Sequence, residues 1–301
     1  PIGILVEALR RLGADIAYMG SEGYPPLRIR GRQLEGGVIE MEGNMSSQFI
    51  SAMLIAGAAM RQGMELHLTG SIISRPYIDL TLCTMRDFGA VVEWTGPDTI
   101  KVSAQRYRPT PYFIENDWSA ASYWYEMVAL SDSKYQVQLE GLTDGSRQGD
   151  SVVRYLMSLL GVRTKFGILD KGVPTTVTLK SHPISLPRME YNLINQPDLA
   201  QTVVVTCCAL GIRFHFTGLS TLKIKETDRI EALKREMRKL GFVIVSDSDG
   251  RELTWHGERC EPVADAAIDT YNDHRMAMAF APVCMRQTVR INNPQVVSKS
   301  Y

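Results

Sequence analysis

The sequence lacks the features that mark membrane-spanning, nucleic-acid-binding and disordered proteins. No uncharged apolar run reaches the roughly 18 residues that a transmembrane helix needs, and the longest helix-like apolar stretch, residues 199–212, falls short. The 33 Lys and Arg residues balance the 33 Asp and Glu residues, so no overall positive charge attracts nucleic acid or anionic lipid. Apolar residues make up 45% and charged residues 22% of the chain, as in folded proteins. We therefore expect a globular protein without a membrane or nucleic-acid partner.

Cysteine and histidine are also scarce, with five residues of each among 301. Neither type shows the spacing of metal ligands, so we expect no metal site. Most of the cysteines lie in apolar or helix-like surroundings, where a free thiol behaves as a small hydrophobic side chain. We expect buried, reduced thiols and hence a reducing compartment. The cysteines are Cys83, Cys207, Cys208, Cys260 and Cys284.

Two types of predicted helix alternate along the chain with a repeat of about 75 residues. The first type is amphipathic and stops at a glycine, where a left-handed C-cap is expected. These glycines are Gly13, Gly89, Gly161 and Gly241. The second type is apolar on nearly every side, which is typical of a buried helix. Its copies span residues 47–60, 119–130, 198–210 and 274–284. With short alternating strands between them, the helices predict pseudo-symmetric α/β domains with helices inside and sheets outside.

The predicted buried helices begin with short polar side chains. Ser46, Asp117 and Asp273 stand at N-cap positions. N-capping alone, which stabilises a helix by about 1 kcal/mol, would explain each of them. Free backbone N–H groups and the helix dipole also favour anions at these positions. Both capping and anion binding therefore stay open for these residues.

The predicted amphipathic helices begin directly behind a basic residue, which is Arg75, Arg147 or Lys225. A cation at a helix N-terminus is unfavourable unless an anion binds there. We infer an α/β enzyme with a highly anionic substrate, and composition and spacing alone go no further. The residues that follow Arg229 predict a solvated helix of mixed charge. They include Glu231, Lys234, Arg235, Glu236, Arg238 and Lys239.

Five segments, in chain order, resemble those of the 5-enolpyruvylshikimate-3-phosphate synthase family, also called 3-phosphoshikimate 1-carboxyvinyltransferases. They are Gly-Asn-Met-Ser-Ser-Gln-Phe at 43–49, Ser-Arg-Pro-Tyr-Ile-Asp at 74–79, Gln-Pro-Asp at 196–198, Lys-Glu-Thr-Asp-Arg at 225–229 and Thr-Tyr-Asn-Asp-His-Arg-Met-Ala-Met at 270–278. The similarity covers the whole chain, and the last two segments are highly specific. The resemblance implies a two-domain enolpyruvyl transferase fold, an inside-out α/β barrel built from repeated βαβαββ units.

The resemblance also implies that family members extend beyond both ends of this chain. A Pro-Gly-Ser-Lys-Ser segment and a Gly-Asn-Ala-Gly-Thr loop would precede Pro1, and the chain stops inside a Lys-Ser-Tyr-Pro-like motif. We therefore expect residues 1–115 to be the C-terminal part of a first, incomplete α/β domain. Residues 116–301 would form a second α/β domain that is nearly complete.

The implied reaction joins the enolpyruvyl group of phosphoenolpyruvate to the 5-hydroxyl of shikimate 3-phosphate and releases phosphate, a step toward chorismate and the aromatic amino acids. By resemblance, Asp198 is the base at the 5-hydroxyl. Glu226 is the proton donor to the methylene carbon and later its acceptor, with Lys225 beside it. General acid–base steps of this kind typically contribute about 10²–10⁴-fold each.

The resemblance assigns binding residues to each of the two substrates. For shikimate 3-phosphate they are Ser46, Ser47, Gln48, Ser74, Tyr77, Asp198, Thr221 and Lys225. For phosphoenolpyruvate they are Gln48, Arg229, Arg275 and Lys299. Thr221 stands where the family commonly has Asn, so its contact would be shorter. Asp273 and His274 are further candidates, either for orientation and proton relay or for N-capping, and Asp117 is a possible site residue that capping also explains. No metal and no cofactor is implied, because arginines and helix ends supply the positive charge.

Two other functions are weighed against this one. UDP-N-acetylglucosamine enolpyruvyl transferase shares the fold, but the 225–229 segment and the Ser-Ser-Gln set at 46–48 point away from it. The second alternative is a catalytically inactive fragment that only binds shikimate 3-phosphate. Members of the family are generally cytoplasmic monomers, and we expect the same of this protein.

Overall fold

A computed structural model describes residues 1–132, 135–167, 174–184 and 186–299 of the chain. They fall into two compact units, Pro1–Tyr112 and Phe113–Tyr301. That the first unit belongs to an incomplete domain stays a prediction. Among the described residues, no helix combines the length and the apolar character needed to cross a membrane. No group of three or more described His, Cys, Asp or Glu side chains is arranged to hold a metal ion.

The first unit contains one complete βαβαββ repeat. Its elements are α1 (Gly3–Arg11), β1 (Asp15–Tyr18), β2 (Leu27–Arg30), β3 (Gly37–Glu42), α2 (Ser47–Gly57), β4 (Met64–Thr69), α3 (Arg75–Asp87), β5 (Val92–Trp94) and β6 (Thr99–Val102). The four strands of the repeat lie in the order β3-β4-β6-β5, and β3 runs parallel to β4. Because parallel strands end at the same edge, α2 and α3 begin side by side. Ile50 of α2, Leu66 of β4 and Ile78 of α3 are fully buried in the core between them.

The second unit contains another complete repeat, flanked by related elements. Its elements are α4 (Trp118–Leu130), β7 (Gln136–Leu142), α5 (Val153–Leu159), β8 (Val162–Phe166), β9 (Thr175–Ser181), β10 (Arg188–Asn192), α6 (Ala200–Leu210), β11 (Arg213–Thr217), α7 (Arg229–Lys239), β12 (Val245–Ser246), β13 (Leu253–Trp255), β14 (Ala267–Ile268), α8 (His274–Phe280) and β15 (Arg290–Ile291). The order β10-β11-β13-β12 matches the sheet of the first unit, again with the first two strands parallel. Strands β7, β9 and β8 form an antiparallel sheet, and β14 pairs with β15 in parallel.

The repeat predicted from the sequence is confirmed by this topology. The four glycines expected at helix ends all have positive φ, 94° at Gly13, 85° at Gly89, 94° at Gly161 and 90° at Gly241. Helix α6 shows the predicted burial most clearly, since every residue from Ala200 through Cys208 is buried. The helix pattern thus predicted the repeat, and the βαβαββ unit implied by the family resemblance is the one that the topology shows.

Some helix bounds differ from the predicted ones. Helix α7 begins at Arg229 rather than at Glu226, because Asp228 is its N-cap and accepts a hydrogen bond from the backbone N of Glu231 at 3.2 Å. Helix α6 begins only after a 3₁₀ turn, Pro197–Leu199, so Asp198 lies in that turn. Helix α8 ends at Phe280 and continues as a 3₁₀ turn.

The expectation of buried thiols holds for only some of the cysteines. All five are free, and Cys207 and Cys208 are buried in α6. Cys83 and Cys260 are half-buried. Cys284 is exposed, because it lies near the end of the turn that follows α8.

Candidate active site

Polar segments that follow strands β10, β11 and β14 meet in the second unit. They are residues 196–198, ahead of α6, residues 225–229, ahead of and at the start of α7, and residues 273–275, at the start of α8. Strands β10 and β11 are parallel, so the segments that follow them lie at the same edge of the sheet. Ion pairs between these segments form a cluster of three acids and three bases, which we call the ion cluster. Its members are Asp198, Lys225, Glu226, Arg229, Asp273 and Arg275.

Arg229 is the centre of the ion cluster, and only 1% of its side chain is exposed. Its Nη1 donates to Oδ1 of Asp198 at 3.1 Å, and its Nη2 donates to Oε2 of Glu226 at 2.8 Å. Its Nε donates to Oδ2 of Asp273 at 2.7 Å. A buried guanidinium requires such pairing, because an isolated buried charge is very costly. One arginine therefore fixes three carboxylates that come from three different segments.

Asp198 is surrounded by cations. Besides Arg229, the Nη2 of Arg275 donates to its Oδ2 at 3.0 Å, and the Nζ of Lys225 lies 3.7 Å from its Oδ1. Burial raises the pKa of Asp198, but the charges of Arg275, Lys225 and Arg229 outweigh it, so the pKa lies below its ordinary value of 3.8. The carboxylate is therefore ionised at neutral pH. Its side chain is 21% exposed, which leaves it open to a ligand.

Asp273 caps α8 and at the same time orients Arg229. Its carboxylate is fully buried, and its Oδ1 accepts a hydrogen bond from the backbone N of Arg275 at 2.9 Å. His274 follows it, with Nδ1 3.9 Å from Oδ1 of Asp273, which is too long for a hydrogen bond. Burial lowers the pKa of His274, and the charge of Arg275 lowers it further. The imidazole is therefore neutral at neutral pH.

In the first unit, α2 and α3 begin at loops that are hydrogen-bonded to each other. The backbone N of Gly43 donates to the carbonyl of Thr69 at 2.8 Å, and the N of Ile73 donates to the carbonyl of Gly43 at 3.0 Å. Ser46 and Ser74 occupy the two N-cap positions, but neither hydroxyl accepts a capping hydrogen bond. Of the two roles left open for Ser46, capping is therefore excluded. The first backbone N–H groups of both helices lack a side-chain cap, as an anion site requires.

Arg75 is the first residue of α3 and is held by its neighbours. Its guanidinium lies over the Trp94 ring, 4.0 Å from the centroid, and its Nη1 donates to the carbonyl of Pro97 at 3.1 Å. The Trp94 Nε1 in turn donates to Asp79 at 2.8 Å. This cation–π contact fixes a positive charge beside Ser74, which has a left-handed backbone with φ of 56°.

The remaining residues of the predicted site are placed as follows. Thr221 is buried in a 3₁₀ turn, Ser220–Ile224, just ahead of Lys225. Ser47 and Gln48 lie in the first turn of α2, where Gln48 is exposed, and Tyr77 lies half-buried in the first turn of α3. The side chain of Lys299 lies outside the described residues.

Asp117 is a helix cap. Its carboxylate accepts a hydrogen bond from the backbone N of Ser119 at 2.8 Å at the start of α4. The same helix start is tied down by Glu115, which accepts hydrogen bonds from Trp118 Nε1 at 2.7 Å and from the Ser146 hydroxyl at 2.6 Å. These contacts favour capping over a catalytic role for Asp117.

One buried acid was missed by reasoning from the sequence. Glu236 was expected on a solvated helix face, but its side chain is fully buried. The expectation is wrong because Tyr271 and Lys239 bind both carboxylate oxygens, which compensates the cost of burial. No local signal marks this burial, because Tyr271 and the backbone N of Asp269 lie 35 and 33 residues further along the chain.

Known proteins resemble this chain over its whole length. The family model described as EPSP synthase (3-phosphoshikimate 1-carboxyvinyltransferase) matches residues 1–301. The 3-phosphoshikimate 1-carboxyvinyltransferase of Bacteroides fragilis (strain YCH46) is 51% identical over 302 residues, which cover 100% of this chain and 72% of that protein. The protein of the same name from Marinomonas sp. (strain MWYL1) is 34% identical over 307 residues, covering 100% of this chain and 68% of that protein.

Solved structures match the fold at lower identity. An EPSP synthase structure from Acinetobacter baumannii has a TM-score of 0.72 at 22% identity, covering 100% of this chain and 68% of that chain. The enolpyruvyl transferase NikO from Streptomyces tendae has a TM-score of 0.66 at 16% identity, covering 100% and 69%. These two structures support the fold alone.

Proposed function

Because the chain belongs to the EPSP synthase (3-phosphoshikimate 1-carboxyvinyltransferase) family, we propose that it transfers the enolpyruvyl group of phosphoenolpyruvate to the 5-hydroxyl of shikimate 3-phosphate and releases phosphate. This is a step of the shikimate pathway, which supplies chorismate for aromatic amino acids. The observation that carries the proposal is the ion cluster. It places two partly exposed carboxylates, Asp198 and Glu226, on the same buried guanidinium of Arg229.

In the addition step, Asp198 takes the proton from the 5-hydroxyl. The hydroxyl oxygen forms a bond to the central carbon of phosphoenolpyruvate, while Glu226 gives its proton to the methylene carbon. In the elimination step, the bond between the same carbon and the phosphate oxygen breaks, Asp198 passes its proton to the leaving phosphate, and Glu226 takes a proton back from the new methyl group. Lys225, whose Nζ lies 3.7 Å from Asp198, offsets the negative charge of both acids.

Substrate binding must compete with ion pairs inside the cluster. Arg229 already donates to Asp198 and Glu226, and Arg275 already donates to Asp198. Phosphoenolpyruvate carries a carboxylate and a phosphate, which are the groups that planar guanidinium forks bind best. As it takes over these guanidinium groups, both acids are released for proton transfer, and the pKa of Asp198 rises. In our proposal Lys299 and Gln48 complete the phosphoenolpyruvate contacts.

For shikimate 3-phosphate, the proposed phosphate ligands are Ser46, Ser47, Gln48 and Ser74. They lie in the adjacent starts of α2 and α3, where backbone N–H groups and the helix dipoles favour an anion. Tyr77 would line the ring of the substrate. In the second unit, Thr221, Lys225 and Asp198 would contact the same substrate. Asp273 and His274 are assigned a supporting role, because the Asp273 carboxylate already accepts hydrogen bonds from Arg229 and from the backbone N of Arg275.

The alternative acceptor UDP-N-acetylglucosamine is less favoured, since the relatives at 51% and 34% identity are named for 3-phosphoshikimate. The inactive-fragment alternative concerns this chain when it is prepared on its own. We further propose a cytoplasmic monomer that uses no cofactor.

Phosphate release by the complete natural protein tests the proposal. We expect release when phosphoenolpyruvate is combined with shikimate 3-phosphate and none with UDP-N-acetylglucosamine as the acceptor. The opposite preference would contradict the proposed acceptor. The fragment alternative is tested on the present chain by a calorimetric titration of shikimate 3-phosphate together with the same phosphate-release assay. It predicts saturable binding without phosphate release.

A further inference from the structure

The turn ahead of α8 has an unfavourable backbone. Tyr271 and Asn272 both adopt left-handed conformations, with φ of 53° and 58°. Residues with a Cβ rarely do so, because the Cβ crowds the following carbonyl oxygen. Such conformations persist where surrounding contacts hold them in place, and they are frequent at functional sites. This turn leads directly into Asp273, the carboxylate that orients Arg229.

Helix α7 holds this turn at two points. The Tyr271 hydroxyl donates to Oε1 of Glu236 at 2.6 Å, and Arg229 donates to Asp273 at 2.7 Å. Arg229 and Glu236 are seven residues apart on α7, so they project from the same face. One helix therefore carries both the buried arginine of the ion cluster and the anchor of the strained turn.

Glu236 is itself held firmly. Its side chain is fully buried, and its Oε2 lies 2.7 Å from the Nζ of Lys239. The same oxygen accepts a hydrogen bond from the backbone N of Asp269 at 3.0 Å. Lys239 also pairs with the Asp269 carboxylate at 2.8 Å. The acceptor for the Tyr271 hydroxyl is therefore fixed relative to the strand that precedes the turn.

We propose that Glu236 and Tyr271 form a positioning pair, which holds the left-handed turn so that Arg275 and Arg229 present their guanidinium groups to phosphoenolpyruvate. The turn and the two arginines are linked through one residue, because Asp273 binds both the side chain of Arg229 and the backbone N of Arg275. Neither member of the pair lies in the ion cluster. The inference rests on the proposed function, because it assigns the pair to one substrate of that reaction.

The test compares two tyrosine variants of the complete natural protein. Tyr271→Phe removes only the hydroxyl that reaches Glu236. Tyr125→Phe is the matched control. The hydroxyl of Tyr125, on α4, is hydrogen-bonded to that of Thr164, on β8, at 2.9 Å, so it belongs to a different sheet from the turn ahead of α8. We expect Tyr271→Phe to lower kcat/KM for phosphoenolpyruvate by on the order of tenfold to a hundredfold, because small misplacements of positioning groups have effects of this size. The KM for shikimate 3-phosphate should change little, and Tyr125→Phe should keep wild-type kinetics at a similar fall in Tm.

The variant Glu236→Gln provides a second comparison, because its amide oxygen can still accept from Lys239 and from the backbone N of Asp269 while its amide NH2 donates to the hydroxyl oxygen of Tyr271. We expect it to retain more of kcat/KM for phosphoenolpyruvate than Tyr271→Phe does. Wild-type kinetics in Tyr271→Phe, or equal losses for both substrates, would overturn the positioning role. A loss in Glu236→Gln as large as in Tyr271→Phe would overturn it as well. Failure of the wild-type protein to release phosphate would instead contradict the proposed function.

Discussion

The guanidinium of Arg275 donates a 3.0 Å hydrogen bond to the carboxylate of Asp198, although 77 residues separate them in the chain. Arg229 binds the other oxygen of the same carboxylate at 3.1 Å. The group that we propose as the base is thus held between two arginines that we also propose as ligands for phosphoenolpyruvate. Binding of that substrate and release of the base are therefore linked in this account.

Replacing Arg275 should affect the two substrates unequally. In Arg275→Ala we expect the KM for phosphoenolpyruvate to rise on the order of a hundredfold, the range for removing one partner of a hydrogen-bonded charge pair. The KM for shikimate 3-phosphate should rise far less. Steady-state kinetics with each substrate varied in turn measure the difference, with Arg286→Ala as a control because Arg286 pairs with Asp132 in an exposed pair. Equal weakening of both substrates would argue against the assignment.

The pH dependence of turnover should differ between the free protein and its complex. In the free protein, burial raises the pKa of Asp198 but its neighbouring cations lower it below 3.8, so the base stays ionised to low pH. The acid limb of kcat/KM should accordingly lie below the ordinary pKa of an aspartate. Bound phosphoenolpyruvate pairs with Arg229 and Arg275, which weakens their hold on Asp198 and raises its pKa. The acid limb of kcat should therefore lie at higher pH than that of kcat/KM. Profiles of both parameters for the same preparation provide the measurement, and coincident acid limbs would contradict the exchange of ion pairs.

Glu126 should make stability depend on pH. It is fully buried in α4, and burial raises its pKa well above the ordinary 4.5, which the Thr206 hydroxyl offsets only in part. The unfolded chain loses this proton near the ordinary value, while the folded protein keeps it. The contribution of Glu126 to stability is therefore present below about pH 4.5 and declines as pH rises toward the folded pKa, by about 1.4 kcal/mol per pH unit.

The variant Glu126→Gln measures this contribution, because its side chain cannot ionise. We expect the free energy of unfolding of the wild-type protein, relative to that of the variant, to fall as pH rises from about 5 to 8. Urea unfolding of the present chain at several pH values gives the difference. Glu140→Gln, which removes an exposed carboxylate on β7, controls for the loss of one charge. A pH-independent difference for Glu126→Gln would show that this carboxyl does not stay protonated.

Local patterns in the sequence predicted much of the fold. The glycines at 13, 89, 161 and 241 and the all-apolar helices are local signals, and helix geometry depends mainly on neighbours in the chain. The start of α7 was misplaced, since Lys225 and Glu226 continue the charged pattern of the helix while Asp228 caps it. Hydrogen bonding at the cap decided the boundary, and a charge pattern does not contain that information.

The pairing inside the site could not be read from the sequence. Arg229 and Asp273 are 44 residues apart, and their ion pair exists only because α7 and α8 pack together. Glu236 was misassigned for the same reason. An acid on a mixed-charge helix predicts exposure unless a partner from a distant segment is known, and here that partner is the hydroxyl of Tyr271.

Asp198→Asn in the complete natural protein tests the central claim most directly, with Asp132→Asn as the control for an exposed carboxylate. The two measurements are phosphate release from phosphoenolpyruvate and shikimate 3-phosphate, and calorimetric titration of shikimate 3-phosphate. If Asp198 is the base, release should fall by about 10²–10⁴-fold or more, while saturable binding of shikimate 3-phosphate survives and the control is unchanged. Phosphate release at the wild-type rate in Asp198→Asn would contradict the account.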